Sequence, residues 1–240
     1  MKIDLALWAD RIEDDEERPA VVIDVLRASS TIVTALSNGA QAILPTASIE
    51  AARAKEKETA NSLVAGERNG VQIADFDLGN SPLDYKEEQV AAKKIILTTT
   101  NGTKCFNHLS NAQEVVIASL LNLEAVVDYL AGQKEVLLCC AGNYGDFAFD
   151  DMIVAGKIIA KLRNKTDIEL SDKGQAAEEL YVAHQSDLLA ALLNSDSGKN
   201  LKKLGYQEDI KYIINQQENV IPLYQQGVVN LATQGEREDT

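Results

Sequence analysis

Four short polar stretches of this 240-residue chain carry the residue types that could hold an anion and a cation together. The first, Asp24-Val25-Leu26-Arg27-Ala28-Ser29-Ser30-Thr31, sets a carboxylate, a guanidinium three residues on, and a run of hydroxyls beside what reads as a helix start. Such a turn can hold a metal and a phosphate at once. A plainer reading stands beside it, with Asp24 and Ser29 capping the helix and Arg27 pairing with Asp24. The second stretch runs Gly66-Glu67-Arg68-Asn69-Gly70 and then Asp75-Phe76-Asp77-Leu78-Gly79-Asn80-Ser81-Pro82, where turn chemistry alone would also account for the glycines and short polar side chains. The third, Thr98-Thr99-Thr100-Asn101-Gly102-Thr103, offers hydroxyls, an amide and backbone N–H groups, although threonines ending a strand satisfy β propensity by themselves. The fourth, Ala141-Gly142-Asn143-Tyr144-Gly145-Asp146, leads to Asp150-Asp151, acids that would equally suit a helix N-terminus.

The elements around these stretches predict how they are presented. Apolar runs at Ile3–Leu7, Ala20–Val25, Ala42–Leu44, Leu63–Ala65, Lys94–Thr98, Val115–Ala118 and Glu135–Cys140 are mostly continuous, as strands covered on both faces should be. Helical patterns fill the gaps at Ser30–Asn38, Ser48–Thr59, Leu123–Leu130 and Asp151–Leu162, and Ser171 to about Ile214 reads as purely helical. The pattern predicts an α/β fold of three layers, α/β/α, with a mainly parallel sheet in a Rossmann-like arrangement and a helical C-terminal region. Either one domain over residues 1–240 or two closely packed halves, 1–110 and 111–240, would satisfy it. From Gln225 onward the tail is polar enough to fray. Open α/β sheets bind ligands outside the carboxyl ends of their strands, which is where all four stretches fall.

Bulk properties narrow the partners. A net charge of -14 without a basic stripe argues against nucleic acid and anionic membrane surfaces. The first residues hold only a short apolar run before an acidic patch, so neither a signal peptide nor a membrane span is expected, and a cytoplasmic location is. Cys105, Cys139 and Cys140 fit neither a disulfide framework nor a metal pair and read as reduced core residues. An acidic protein that handles an anion must reverse its field locally with arginines, backbone amides or a divalent cation. Other phosphatase chemistries lack their nucleophile context: Leu26 stands where an aspartyl-phosphate motif needs its second aspartate, and Gly145 and Asp146 stand where a cysteine phosphatase needs its arginine. Histidines 108 and 184 lie in helical patterns away from any phosphohistidine motif, and a Walker A loop is missing. Metal-activated water or an aspartyl nucleophile at Asp24 both remain open.

The blocks VVIDVLRASSTIVTAL, AGERNG, FDLGNSP, TTTNGT and AGNYGDFAFDDMIVAG, in that order and at those separations, resemble the successive signatures of the 2-phosphosulfolactate phosphatase family. Similarity continues more weakly through SDSGKNLKKLGYQEDI to Val220-Ile221-Pro222. The resemblance implies an α/β fold, Mg²⁺ dependence and hydrolysis of 2-phospho-3-sulfolactate to 3-sulfolactate and phosphate, a step towards coenzyme M. By motif it points to Asp24, Arg27, Glu67 and Arg68 as catalytic, with Asn80, Ser81, Thr99, Thr100, Asn101, Gly102 and Thr103 binding substrate. Asp24, Asp77 and Asp151 are the expected Mg²⁺ ligands, with Glu67 a further ligand or the base that orients water. Arg27 and Arg68 are expected to grip phosphate or sulfonate bidentately. Two positions depart from the family's pattern: Asp75 stands where glycine is expected, and Asn143 where threonine is. A phosphatase of another phosphorylated hydroxy acid and a non-catalytic binder of a phosphorylated or sulfonated metabolite are the alternatives. A homodimer is expected from the habits of compact α/β enzymes.

Overall fold

The computed structural model describes residues 1–13, 17–109 and 111–232. In chain order the strands are β1 (Lys2–Ala6), β2 (Ala20–Ile23), β3 (Ala42–Pro45), β4 (Ser62–Arg68), β5 (Val71–Gln72), β6 (Lys94–Thr98), β7 (Val115–Ala118), β8 (Glu135–Cys140), β9 (Glu169–Leu170), β10 (Pro222–Gln225) and β11 (Val228–Leu231). The helices are α1 (Ala28–Ser37), α2 (Ile49–Glu58), α3 (Glu87–Val90), α4 (Gly102–His108), α5 (Leu123–Leu130), α6 (Phe149–Leu162), α7 (Asp172–His184), α8 (Leu188–Asn194), α9 (Asp196–Lys203) and α10 (Gln207–Asn215).

All the strands join one sheet in the order β5-β4-β6-β3-β11-β10-β7-β2-β8-β1-β9. Both faces of it are covered, as the unbroken apolar runs require. Along β8, Val136, Leu138 and Cys140 enter one apolar core while Leu137 and Cys139 enter the other. The same alternation of period two runs through β2 and β7. Helices α5, α6 and α7 supply the first core and α1 and α4 the second. Each fully buried aliphatic side chain contributes about 1.5–3 kcal/mol, so a single charge on either face of β2 would be strongly destabilising. Close approach of α6 to α7 depends on Gly156, where a Cβ would sit 2.0 Å from the Ala177 carbonyl oxygen.

Most of the sheet is parallel, but β10 and β11 are not. They form an antiparallel hairpin between β3 and β7, so the expected fraying from Gln225 is corrected for the strand Val228–Leu231. Residues 233–240 lie outside the described residues. The two-residue turn Gln226-Gly227 explains the result, with φ of 51° and 84° matching the primed turns that suit strand twist. Because Gln-Gly is a weaker turn signal than Asn-Gly, and Pro222 discourages a central strand, the hairpin is hard to read in sequence.

The hairpin divides the sheet into two parallel blocks, β4-β6-β3 and β7-β2-β8-β1-β9. Three antiparallel pairings separate β3 from β7, so the blocks run in opposite senses. Neighbouring strands rotate by about 20–25° each, which over the steps from β6 to β2 amounts to about 100–125°. The carboxyl ends of β2, β4, β6 and β8 therefore meet around one cavity. A cut at residue 110 would not separate the blocks, since β1 and β2 pair with β8 and β7.

Candidate active site

The cavity, of about 190 Å³, is walled by the residues that follow those strands. Asp24, Leu26 and Arg27 come from the β2–α1 turn, Glu67, Asn69 and Gly70 from the end of β4, and Thr100 and Asn101 from the β6–α4 turn. Gly142 to Tyr144 and the acids Asp150 and Asp151 come from the β8–α6 connection. That connection also straps the mouth, because the Tyr144 backbone N–H donates to Asn101 Oδ1 (3.1 Å) and its hydroxyl to Asn69 Oδ1 (2.8 Å). Gly142 makes the strap's tight exit from β8 possible. Its φ is 77°, and a Cβ there would lie 2.4 Å from Trp8 Cβ.

Hydrogen bonds fix the acids differently. Asp24 Oδ1 accepts from the Ala28 N–H (3.2 Å), and its Oδ2 faces Gly102, where a Cβ would come within 2.6 Å. Asp151 is a brace between neighbouring strand ends: its Oδ1 accepts from Val25 N–H (2.9 Å) and its Oδ2 from Gly142 N–H (3.2 Å). Glu67 accepts the Gly70 and Thr100 N–H groups, both at 2.7 Å, and the Thr100 hydroxyl at 3.2 Å. Asn80 Oδ1 is buried and lacks a partner while its residue lines the cavity. Buried polar atoms are seldom left so, and an orphaned oxygen on a residue of the cavity wall points to a ligand or an ordered water.

Electrostatics sharpen the picture. Burial pushes the Asp24 carboxyl up to about 7, with the negative charges of Glu67 and Asp150 raising it further against the Ala28 N–H and Arg27. Asp150 is raised to about 6, again by burial first, although the Ser197 and Ser195 hydroxyls oppose the rise. Asp151 lies well above the ordinary carboxylate range because it is buried beside Asp150 and Asp24. Three acids crowded out of water favour either protons or a cation. The cysteines take no part. All three are buried and in no disulfide among the described residues, and burial holds the Cys105 and Cys140 thiols far above the range of a thiolate nucleophile.

The structure redistributes several of the expected site residues. Asp24, Glu67, Asn80, Thr100, Asn101, Asp151 and Arg27 meet at the cavity, and Gly102 presses on Asp24. Arg27 pairs with neither Asp24 nor open solvent. Its Nη1 donates to Asp209 Oδ2 at 2.6 Å, its Nη2 donates to the Gly70 carbonyl at 2.8 Å, and the guanidinium stacks 4.4 Å above the Tyr206 ring. Ser81 turns away and donates to Asp209 Oδ1 (2.7 Å). Arg68 donates to the Glu67 carbonyl and to Thr98 Oγ1, and with Thr99 and Thr103 it faces a separate surface cavity beyond the β6–α4 turn. Asp77 is exposed and accepts from the Val64 N–H (2.8 Å), so the set Asp24, Asp77 and Asp151 is not assembled. The turn Asp75-Phe76-Asp77 is a strand-side bend rather than a cavity wall, which is why its acid faces outward. Asp75, at the position where the family's pattern has glycine, adopts φ 62°, a left-handed conformation that aspartate tolerates better than most residues.

Other contributors were not selected in the sequence. Asp150 stands beside the expected Asp151, and an acid pair in the first turn of α6 is a legible signal. Asp196, Ser197 and Asn200 reach the cavity from α9, where Ser195 caps the helix through Gly198 N–H. Asp209, on α10, falls at the end of the weaker block SDSGKNLKKLGYQEDI, where nothing in the local sequence marks it as the partner of Arg27.

Among the described residues no trio of His, Cys, Asp or Glu side chains converges at metal-binding distance. The donors fit magnesium in its commoner mode, in which one or two carboxylates hold an ion that keeps waters and substrate oxygens. Asp24 Oδ2 and the orphaned Asn80 Oδ1 are hard oxygen donors of that kind.

An acid-walled cavity at the convergent carboxyl ends of an α/β sheet places the chain among α/β proteins whose ligands sit in the crevice beyond their strand ends. Comparison with known proteins narrows this. A family model for 2-phosphosulpholactate phosphatase matches residues 7–227, and the chain belongs to that family. It is 44% identical over 197 residues to a probable 2-phosphosulfolactate phosphatase of Thermotoga petrophila, covering 82% of this chain and 84% of that one. Another protein so named, from Caldanaerobacter subterraneus, is 40% identical across 90% of this chain and 91% of its own. A third, from Clostridium acetobutylicum, is 36% identical across 95% of this chain and its whole length.

Proposed function

We propose that this chain is a magnesium-dependent phosphatase that hydrolyses the phosphate ester of 2-phospho-3-sulfolactate to 3-sulfolactate and inorganic phosphate. The observation that carries the reading is the buried cluster of Asp24, Asp150 and Asp151 in a cavity walled also by Glu67 and Asp196, in a member of this family. Arg27, the guanidinium on those walls, is already neutralised by Asp209. A phosphate and a sulfonate would be repelled from such walls unless a divalent cation reversed the field.

Phosphoryl transfer asks a protein for positioning and charge neutralisation more than for covalent work. Asp24 and Asn80 would hold the magnesium ion, with Asp151 fixing Val25 and Gly142 around them. When bound, the ion would polarise the phosphoryl group and offset its charge. Glu67, by accepting from Gly70 and from Thr100, would hold these two loops in place on the cavity wall that receives the substrate. Arg27 keeps N–H groups beyond those given to Asp209 and Gly70, and its held plane sets their direction. Asp150, raised to about 6, can carry a proton on a carboxyl oxygen for the departing alkoxide at near-neutral pH.

Phosphate release from 2-phosphosulfolactate, measured with Mg²⁺ and with chelator in the wild type and in Asp24→Asn, tests this directly. Chelator-sensitive release that collapses in the variant is expected. Release that persists at full rate in chelator would refute the magnesium role, and absence of release would refute the activity. A homodimer, a cytoplasmic location and a place on the route to coenzyme M belong to the same proposal. No helix among the described residues is long and apolar enough to cross a membrane.

A further inference from the structure

A second cavity, of about 480 Å³, opens beside the first and shares Asn143, Ala148, Asp150, Asp196 and Ser197 with it. Its other walls differ in kind. Phe147 comes from the β8–α6 connection and Phe149 from the start of α6, Ala183 and His184 from the end of α7, and Ala190 and Ala191 from α8. Phe147 is 42% exposed, an unusual state for a large aromatic, and it lies on this wall. His184 is held in place by Nδ1 against the Leu180 carbonyl (3.0 Å) and meets the Phe149 ring edge-on at 5.3 Å. Asp150, Asp187 and Asp196 line the annex without a lysine or arginine.

A short, fully charged substrate such as a sulfonated lactate has nothing to place against aromatic rings. We infer that this annex is a specificity subsite for an uncharged apolar substituent, so that the enzyme also hydrolyses phosphorylated 2-hydroxy acids bearing an aryl group. The inference rests on the phosphatase reading above. The phosphoryl group stays in the acidic cavity, where a water oxygen bonds to phosphorus as the ester P–O bond breaks and a proton goes to the departing oxygen. The aryl group lies between Phe147 and the alanines of α7 and α8, where burial of apolar surface favours it and the acids disfavour an anion. A second copy of the chain is a poorer occupant, since a two-fold contact here would set acids against acids in a protein of net charge -14.

The test compares phosphate release from 2-phosphosulfolactate and from 2-phospho-3-phenyllactate by the wild type, Ala190→Trp and Ala183→Trp, with sedimentation of each. Both alanines are at least partly exposed, so the tryptophans can fill the annex without entering the core. Wild-type turnover of both esters is expected, with kcat/KM for the phenyl ester falling at least tenfold in a variant while that for the sulfonate stays within twofold. Turnover of the sulfonate alone by the wild type would overturn the annex and leave the phosphatase reading standing. Turnover of neither would overturn both. Equal losses on both esters, or loss of a dimer in the tryptophan variants without selective loss of the phenyl ester, would also overturn the subsite.

Discussion

Replacing Asp209 by asparagine removes one partner of a fully buried ion pair and keeps the side chain's shape. In the native protein Arg27 and Asp209 are each 2% exposed and 2.6 Å apart, and Asp209 also accepts from Ser81 at 2.7 Å. Asparagine can keep the bond from Ser81 but leaves the guanidinium uncompensated, with only the Gly70 carbonyl and the Tyr206 ring as partners. Breaking a buried pair in this way costs about 3–5 kcal/mol. In a chain of this length 1 kcal/mol moves Tm by about 2–4 °C, so a fall of about 6–20 °C is expected by calorimetry. The double variant Arg27→Met, Asp209→Asn should recover much of that loss, because no unpaired charge remains. It should not recover phosphatase activity, because Arg27 lines the cavity. A single variant within about 2 °C of the wild type, or a double variant whose losses simply add, would refute the reasoning that Asp209 stabilises this wall by neutralising Arg27.

Gly102→Ala would press a methyl group to 2.6 Å from Asp24 Oδ2 and 2.8 Å from Ala28 Cβ, costing about 1–3 kcal/mol and at least tenfold in kcat; unchanged kcat would show that Asp24 can shift freely. Asp77→Ala should lose about 1 kcal/mol with the Val64 hydrogen bond yet keep its Mg²⁺ titration curve, whereas a weakened titration would return Asp77 to the metal site. Asp24 carries a folded pKa raised from 3.8 to about 7, so the folded state binds the extra proton. Its stabilising contribution is complete below 3.8 and is lost as pH rises through about 7. In chelator, Tm should therefore fall between pH 5 and pH 8 in the wild type and fall less in Asp24→Asn; equal slopes would refute the buried-carboxyl assignment.

Much of the architecture is legible in the amino-acid sequence because the strands that form the two blocks are short, apolar and continuous, and because turn residues punctuate them. Lys94–Thr98, Val115–Ala118 and Glu135–Cys140 are strands at the expected bounds, and α5 is a helix at its expected bounds. The small edge strands β5 and β9, two residues each, carry too few residues for a period to show. At the site, Asp24, Glu67, Asn80, Thr100 and Asp151 belong to the motifs and do line one cavity. Arg68 and Asp77 lie in the same motifs and face elsewhere: Arg68 because a strand reverses side-chain direction at every residue, and Asp77 because its bend turns the carboxylate onto the Val64 N–H.

By itself the sequence determined what must be buried, which loops carry the polar chemistry and which family the chain belongs to, since these rest on residue type and local order. Tertiary structure decided what those loops meet. Asp209 reaches Arg27 across 182 residues of chain, and the hairpin at Pro222–Leu231 reverses one parallel block against the other. The strand ends then converge through sheet twist, a property summed over the whole sheet and carried by none of its residues alone.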